Sequence, residues 1–247
     1  LKRPDDYICP VCGATVEPFH LPFRDEWRPR ECPVCAARER AAAERREILT
    51  EIEGEIARID NILMSHGVAR RHLSATVNDF GPAYRTLHAG DRGVFLYGPR
   101  GTGKTHLMAA LTRAMILEHL HEARAAVKRP WPYGYPRMVS TIDLLREVRA
   151  TFGTFGPGSK STDIIEQYGE YPVLILDDLG AEHVTDWTLT TLYAIIDRRY
   201  RDMRRTFVTS NLSLADLAKQ TSDRITSRLA EMCRIVRLTG PDRRMKR

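Results

Sequence analysis

Two short stretches hold residue types whose spacing suits phosphate chemistry. Gly98-Pro99-Arg100-Gly101-Thr102-Gly103-Lys104-Thr105 fits the pattern G-x-x-x-x-G-K-[ST]. Its glycines let the backbone curl until several N–H groups point inward at phosphate oxygens, and a helix starting at the end of the loop adds its positive pole. Lys104 would then reach the β- and γ-phosphates, and the Thr105 hydroxyl would ligate Mg²⁺. The apolar run Val94 to Tyr97 before the loop and the helical run His106 to Leu120 after it supply the strand–loop–helix context that separates this motif from a glycine-rich turn with a chance lysine. The second stretch, Val173-Leu174-Ile175-Leu176-Asp177-Asp178, reads as a buried strand bounded by Pro172 and Gly180 and ending in two carboxylates. Asp177 would complete the magnesium shell, and Asp178 would act as general base on the attacking water. Paired aspartates can also cap a turn, but a phosphate loop upstream in an alternating α/β pattern favours the catalytic role.

A second chemistry sits at the amino terminus. Four of the five cysteines form Cys9-Pro10-Val11-Cys12 and Cys32-Pro33-Val34-Cys35, the C-x₂-C…C-x₂-C spacing of a structural zinc site. Each pair turns two thiolates toward one tetrahedral ion, and Gly13 supports the first turn. Two disulfides are the competing arrangement, disfavoured where thiols stay reduced. So short a segment has few apolar residues of its own, and metal binding would supply much of its folding energy. His20 is a spare candidate ligand, and Cys233, alone in the sequence, reads as a small buried residue.

Behind these groups stand elements that must position them. The 247 residues allow one α/β domain and a small accessory module, and an apolar content of 43% indicates a globular chain. No apolar run approaches the ~18 residues of a membrane span, no secretory signal is visible from Leu1 onward, and a cytoplasmic location is expected. A formal charge of +6, concentrated in Arg198-Arg199-Tyr200-Arg201, Arg204-Arg205 and the last residues, suits a nucleic acid path or a solvated basic face equally. The expected division is a zinc module over 1–38, a helical linker or partner-binding helix over 39–78, and a nucleotide domain over 79–247. From Ala36 the composition turns helical, with Ile48, Ile52, Ile56, Ile59 and Leu63 forming one apolar stripe that serves either packing or a partner protein. Residues 65–78 read as a connector. Beyond it, strands at 94–97, 137–141, 173–176, 206–210 and 235–238 alternate with helices, including 142–152 and 185–203, and a loop spans 153–161. That order calls for a doubly wound, mainly parallel sheet with ligand at the strand C-termini.

With those motifs in that order, residues 70–247 resemble an AAA+ ATPase of the DnaC/DnaI helicase-loader and IstB-like family. Leu176-Asp177-Asp178-Leu179-Gly180 is similar to the family's second nucleotide motif, and Thr209-Ser210-Asn211 to its first sensor, which implies that Asn211 positions the hydrolytic water. Ser222 to Leu229 resembles the arginine-finger box, so Arg228, or else Arg224, would reach the γ-phosphate held by a neighbouring subunit. Gly240-Pro241-Asp242-Arg243-Arg244 is similar to the terminal glycine-to-arginine motif, which implies Arg244 as second sensor, and Phe80 would flank the adenine. With little sequence after the last strand, no helical lid domain is expected. Asp178, where the family often has glutamate, implies slow hydrolysis.

The resemblance implies a primosomal helicase loader whose zinc module binds a hexameric replicative helicase. ATP-driven self-association through the nucleotide site would grip single-stranded DNA, with ATP, Mg²⁺ and Zn²⁺ as cofactors. An IstB-like transposition regulator acting on duplex DNA, or a nucleotide-switched adaptor, are the alternatives. The segment Lys128 to Pro136, with Trp131 and Tyr133, would either pin a loop or stack on single-stranded bases.

Overall fold

The computed structural model describes residues 4–21, 26–28, 31–85, 87–130, 134–151 and 159–243. Trp131, Tyr133, Arg244 and most of the expected 153–161 loop lie outside them. The chain divides into two compact units: residues 1–54 with 123–129, and residues 55–122 with 130–247.

In the first unit, β1 (Tyr7–Ile8) pairs antiparallel with β2 (Thr15–Val16), and β3 (Phe19–Leu21) with β4 (Glu26–Arg28). Helix α1 (Pro33–Ala57) follows without a break at residue 38. The apolar centre is small: Cys9, Val16 and Cys32 are buried, with Tyr7, Cys12, Ala14 and Cys35 packed against them. Along α1, Ile48 and Ile52 are buried, as is Leu63 further on, while Ile56 and Ile59 are half-buried, so the predicted stripe is covered. Arg124 bonds to Glu53 at 2.9 Å, and Arg129 to Glu47 and Glu51. Exposed pairs of this kind set orientation more than stability.

The second unit continues with α2 (Ile59–Ser65), 3₁₀ turns at Arg70–His72 and Val77–Asp79, and α3 (Pro82–Arg85). Then come β5 (Gly93–Tyr97), α4 (Lys104–Ala126), β6 (Arg137–Ser140), α5 (Thr141–Ala150), α6 (Ser159–Glu170) and β7 (Val173–Leu179). The unit closes with α7 (Asp186–Arg201), β8 (Arg205–Ser210), α8 (Leu214–Gln220), α9 (Asp223–Met232) and β9 (Cys233–Arg237). Five strands form one parallel sheet in the order β6-β7-β8-β5-β9, the doubly wound arrangement the alternation predicts. Its core includes Phe95, Leu144, Leu176, Leu192, Ile196 and Leu229, all at 0% exposure. At the β6 edge the Met138 N–H donates to the His66 carbonyl at 2.8 Å. Gly67 allows that approach: its φ is +95°, and a Cβ there would lie 1.8 Å from the Met138 oxygen.

Several elements differ from their expected limits for local reasons. Thr141 opens α5 rather than ending β6, because the Ser140 side chain accepts the Asp143 N–H and caps the helix. Ser159 to Ser161 belong to α6 rather than to the loop, and the connector holds two 3₁₀ turns, the second closed by a Thr76–Asp79 capping box. Strand β7 runs through both aspartates to Leu179, with a register shift between Leu176 and Leu179 opposite β8. Asp178 sits in that shift at φ +60°, a left-handed conformation that short polar side chains tolerate better than most.

Candidate functional site

Strand β8 lies between β5 and β7, so its C-terminal residues bridge the loop after β5 and the carboxylates at the end of β7. The phosphate loop has left-handed glycines at Gly101 (φ +77°) and Gly103 (φ +98°), and Thr102 Oγ1 donates to the Pro99 carbonyl at 2.9 Å. Lys104 is 6% exposed, and its ammonium donates to the carbonyls of Gly98 and Pro99 and, at 2.8 Å, to Asn211 Oδ1. Asn211 Nδ2 in turn donates to Asp178 Oδ1 at 2.7 Å. The loop lysine, the polar residue after β8 and the second aspartate thus form one connected chain.

A parallel chain holds the first aspartate. Thr105 Oγ1 lies 3.1 and 3.0 Å from the two Asp177 carboxylate oxygens, and Thr209 Oγ1 donates to Oδ1 at 2.7 Å. Neighbouring ligands of an octahedral Mg²⁺ with bonds of ~2.1 Å are about 3 Å apart, so the Thr105 hydroxyl and Asp177 carboxylate fit adjacent positions on that ion. Burial pushes the Asp177 carboxyl above its ordinary range, opposed by the hydroxyls of Thr209 and Thr105. Thr209 also accepts the Asp178 N–H at 2.8 Å, which fixes the left-handed turn between the two carboxylates. Glu182, just beyond β7, accepts the Gly180 N–H at 2.8 Å, and burial raises its carboxyl as well.

The four amino-terminal cysteines converge. All four sulfurs lie within 4.8 Å of one another, with Cys9 Sγ to Cys35 Sγ at 3.7 Å and Cys12 Sγ to Cys32 Sγ at 3.4 Å. A tetrahedral ion with Zn–S bonds of ~2.3 Å needs sulfurs about 3.8 Å apart, so the set fits one metal ion. The first pair forms a turn in which the Gly13 N–H donates to the Cys9 carbonyl at 2.9 Å and Gly13 takes φ +73°. The second pair is the start of α1, where free N–H groups and the helix pole favour thiolates. Backbone N–H groups of Cys12 and Val11 hold the Cys9 thiol down at about 6, whereas hydrogen bonding with Cys12 pushes Cys35 up to about 12. Four crowded sulfurs cannot all ionise without a cation among them.

Residues 87–247 match the family described as IstB-like ATP binding protein. The chain belongs to this family. Among its relatives, the replicative helicase loader DnaI of Bacillus subtilis (strain 168) is 24% identical over 68% of this chain and 52% of its own length. The replicative helicase loader DnaC of Escherichia coli (strain K12) is 22% identical over 53% and 47% respectively. The chain therefore spans about half the length of the curated relatives it matches. A crystal structure of the DnaC helicase loader superposes with a TM-score of 0.55 at 25% identity, covering 69% of this chain and 100% of that one. A crystal structure of DnaI gives 0.53 at 22% identity over 70% and 95%. The fold is that of an AAA+ nucleotide-binding domain, and the family is one of ATP-binding proteins.

The family's other expected residues are placed unevenly. Arg228, favoured as the finger, bonds to Asp197 Oδ1 at 2.5 Å and to the Tyr193 hydroxyl at 2.9 Å, and lies over the rings of Tyr193 and Tyr200. Arg224, one turn earlier on α9, is exposed. Phe80 is 5% exposed and lies against His106, while His106 contacts Asp79 and His72.

Arg199 departs furthest from expectation. Within a run read as a solvated face or a DNA path, it is 0% exposed. Its guanidinium donates to Thr206 Oγ1 and to the carbonyls of Tyr168, Gly169, Tyr171 and Arg205. It ties the end of α6 to the start of β8, and burial lowers its pKa to about 9. The signal was present in the sequence: Leu192, Ile195, Ile196 and Arg199 follow the spacing of one buried helix face. Cys233 is buried as expected and its thiol is pushed up to about 12. Among the described residues, no helix is long and apolar enough to cross a membrane.

Proposed function

We propose that the protein is a Mg²⁺-dependent ATPase that loads a replicative helicase. The observation that carries the ATPase half is the pair of connected chains at the sheet's C-terminal edge, Lys104–Asn211–Asp178 and Thr105–Asp177–Thr209. Lys104 and the loop N–H groups hold the triphosphate, while Thr105 and Asp177 hold the magnesium. Asp178, aimed by Asn211, takes the proton of the attacking water. The metal neutralises charge on the β- and γ-phosphates when bound.

Hydrolysis in this reading is completed in trans. Arg224, exposed on α9, is the finger offered to the γ-phosphate of a neighbouring copy, and Arg228 holds the finger helix against α7 through Asp197 and Tyr193. ATP thereby drives self-association, and the assembly grips single-stranded DNA. Arg244 serves as second sensor.

Likeness to the helicase loaders DnaI and DnaC supports the loading half, as does a zinc module on Cys9, Cys12, Cys32 and Cys35 in front of the ATPase domain. In this role the zinc module and α1 engage the helicase. The family match itself favours a second reading, an IstB-like regulator of transposition that assembles on duplex DNA.

Zinc-loaded protein mixed with a hexameric replicative helicase, weighed intact by native mass spectrometry in ATP and in ADP, separates the two. The expected result is a complex retained in ATP and weakened in ADP, with preference for single strands in parallel binding assays. No complex, together with ATP-dependent assembly on duplex DNA, would replace the first reading by the second.

A further inference from the structure

The carboxyl-terminal segment folds onto the phosphate loop. The Arg243 N–H donates to the Gly101 carbonyl at 2.9 Å. A Cβ at Gly101 would fall 2.0 Å from Asp242 Oδ1, so the Asp242 side chain packs directly on a loop position whose left-handed φ of +77° itself favours glycine. At Gly103 a Cβ would meet Arg243 Cδ at 3.3 Å and Phe80 Cε1 at 3.5 Å. Arg243 is thus a wall of the loop, although its position in the sequence is near the end of the chain.

Its guanidinium lies 4.4 Å above the Phe80 ring centroid. That distance is direct contact and leaves no room for a base between the two. Phe80 is itself buried while Arg243 is exposed, so the planar surface presented beside the loop on this side is the outer face of the guanidinium. An arginine backed by an aromatic ring and pinned through its main chain is a rigid cationic platform, and such platforms stack on heteroaromatic rings.

We propose that Arg243 is the positioning residue for the base of the bound nucleotide: the base stacks on the outer face of its guanidinium, and Phe80 acts through Arg243 as the backing. This deepens the nucleotide reading of the site and rests on it. The contact is to the base and not to the phosphates, which remain with Lys104 and the loop N–H groups.

The test compares two ligands on the zinc-loaded full chain with Mg²⁺: ATP, and inorganic tripolyphosphate, which has the phosphates without a base. In Arg243→Ala, ATP binding by calorimetry weakens about three- to thirtyfold, the range expected of a cation–π stack. Tripolyphosphate binding changes by less than about twofold, and Arg243→Lys, which keeps the charge and loses the plane, does not restore ATP. Equal weakening of both ligands would overturn the proposal in favour of a phosphate contact. Unchanged or tighter ATP binding would overturn it by showing that Arg243 only covers Phe80. Failure of the unaltered chain to bind either ligand would instead defeat the nucleotide reading beneath it.

Discussion

Around the four amino-terminal sulfurs only a small buried cluster stands where the second unit has a sheet covered by helices. Cys9, Val16 and Cys32 are the buried centre, and Ile8 and Val11 beside them are 71% and 82% exposed. The second unit encloses Phe95, Leu176 and Ile196 at 0% exposure and satisfies even a buried arginine entirely with carbonyls and a hydroxyl. Closure by coordinate bonds to an ion held on these four sulfurs would concentrate stability in that ion, so its loss would be all-or-none. Closure by packing spreads stability over many contacts, so single changes cost a few kcal/mol and rarely abolish the fold.

The largest expected effect follows from removing the ion. Chelation, or Cys9→Ser with Cys12→Ser, abolishes the ordered structure around β1 and β2 and the metal content measured by mass spectrometry. The melting transition of the sheet domain remains. A single shared transition, lost with the metal, would erase the contrast. Next in size, Arg199→Ala strands the carbonyls of Tyr168 and Tyr171 and costs the second unit about 3–5 kcal/mol in denaturant unfolding, with metal content unchanged.

The two arginines of α9 grade the effect further. Arg228→Ala breaks the Asp197 and Tyr193 contacts and lowers stability by about 1–3 kcal/mol. Arg224→Ala shifts stability by no more than about 0.5 kcal/mol, yet lowers ATP turnover of the assembled protein about 10³-fold or more. The reverse pattern would make Arg228 the finger. Smallest is Thr209→Val. Ionised Asp177 is the form that binds Mg²⁺, and Thr209 lowers a carboxyl that burial raises. Without that hydroxyl the pKa rises further, so turnover falls off at a higher pH on acidification. An unmoved acid limb in the pH–rate profile would show that another group sets it.

How much of this was legible in the sequence depended on whether the signal was local. The phosphate loop and the cysteine pairs announce themselves because their function requires fixed residue types at fixed spacing. The end of β7 does not: the apolar run stops at Leu176, but the strand continues because β8 pairs with it again at Leu179. Pairing across a sheet is a long-range fact. The same holds for Thr209, whose bond to Asp177 exists only because β8 inserts between β5 and β7. Arg199 was legible by periodicity and masked by the charges around it. Arg243 was only half legible: the resemblance of Gly240 to Arg244 to the family's terminal motif points that segment at the nucleotide, but not which of its two arginines lies against Phe80.

The bond from Met138 to His66 reaches beyond the fold of one chain. Strand β6 is an outer strand, and outer strands invite other chains to add to them. Here the preceding segment already occupies that position, and Gly67 brings it close enough to do so. On that side, therefore, a second chain would have to displace the His66 carbonyl before its backbone could pair with Met138.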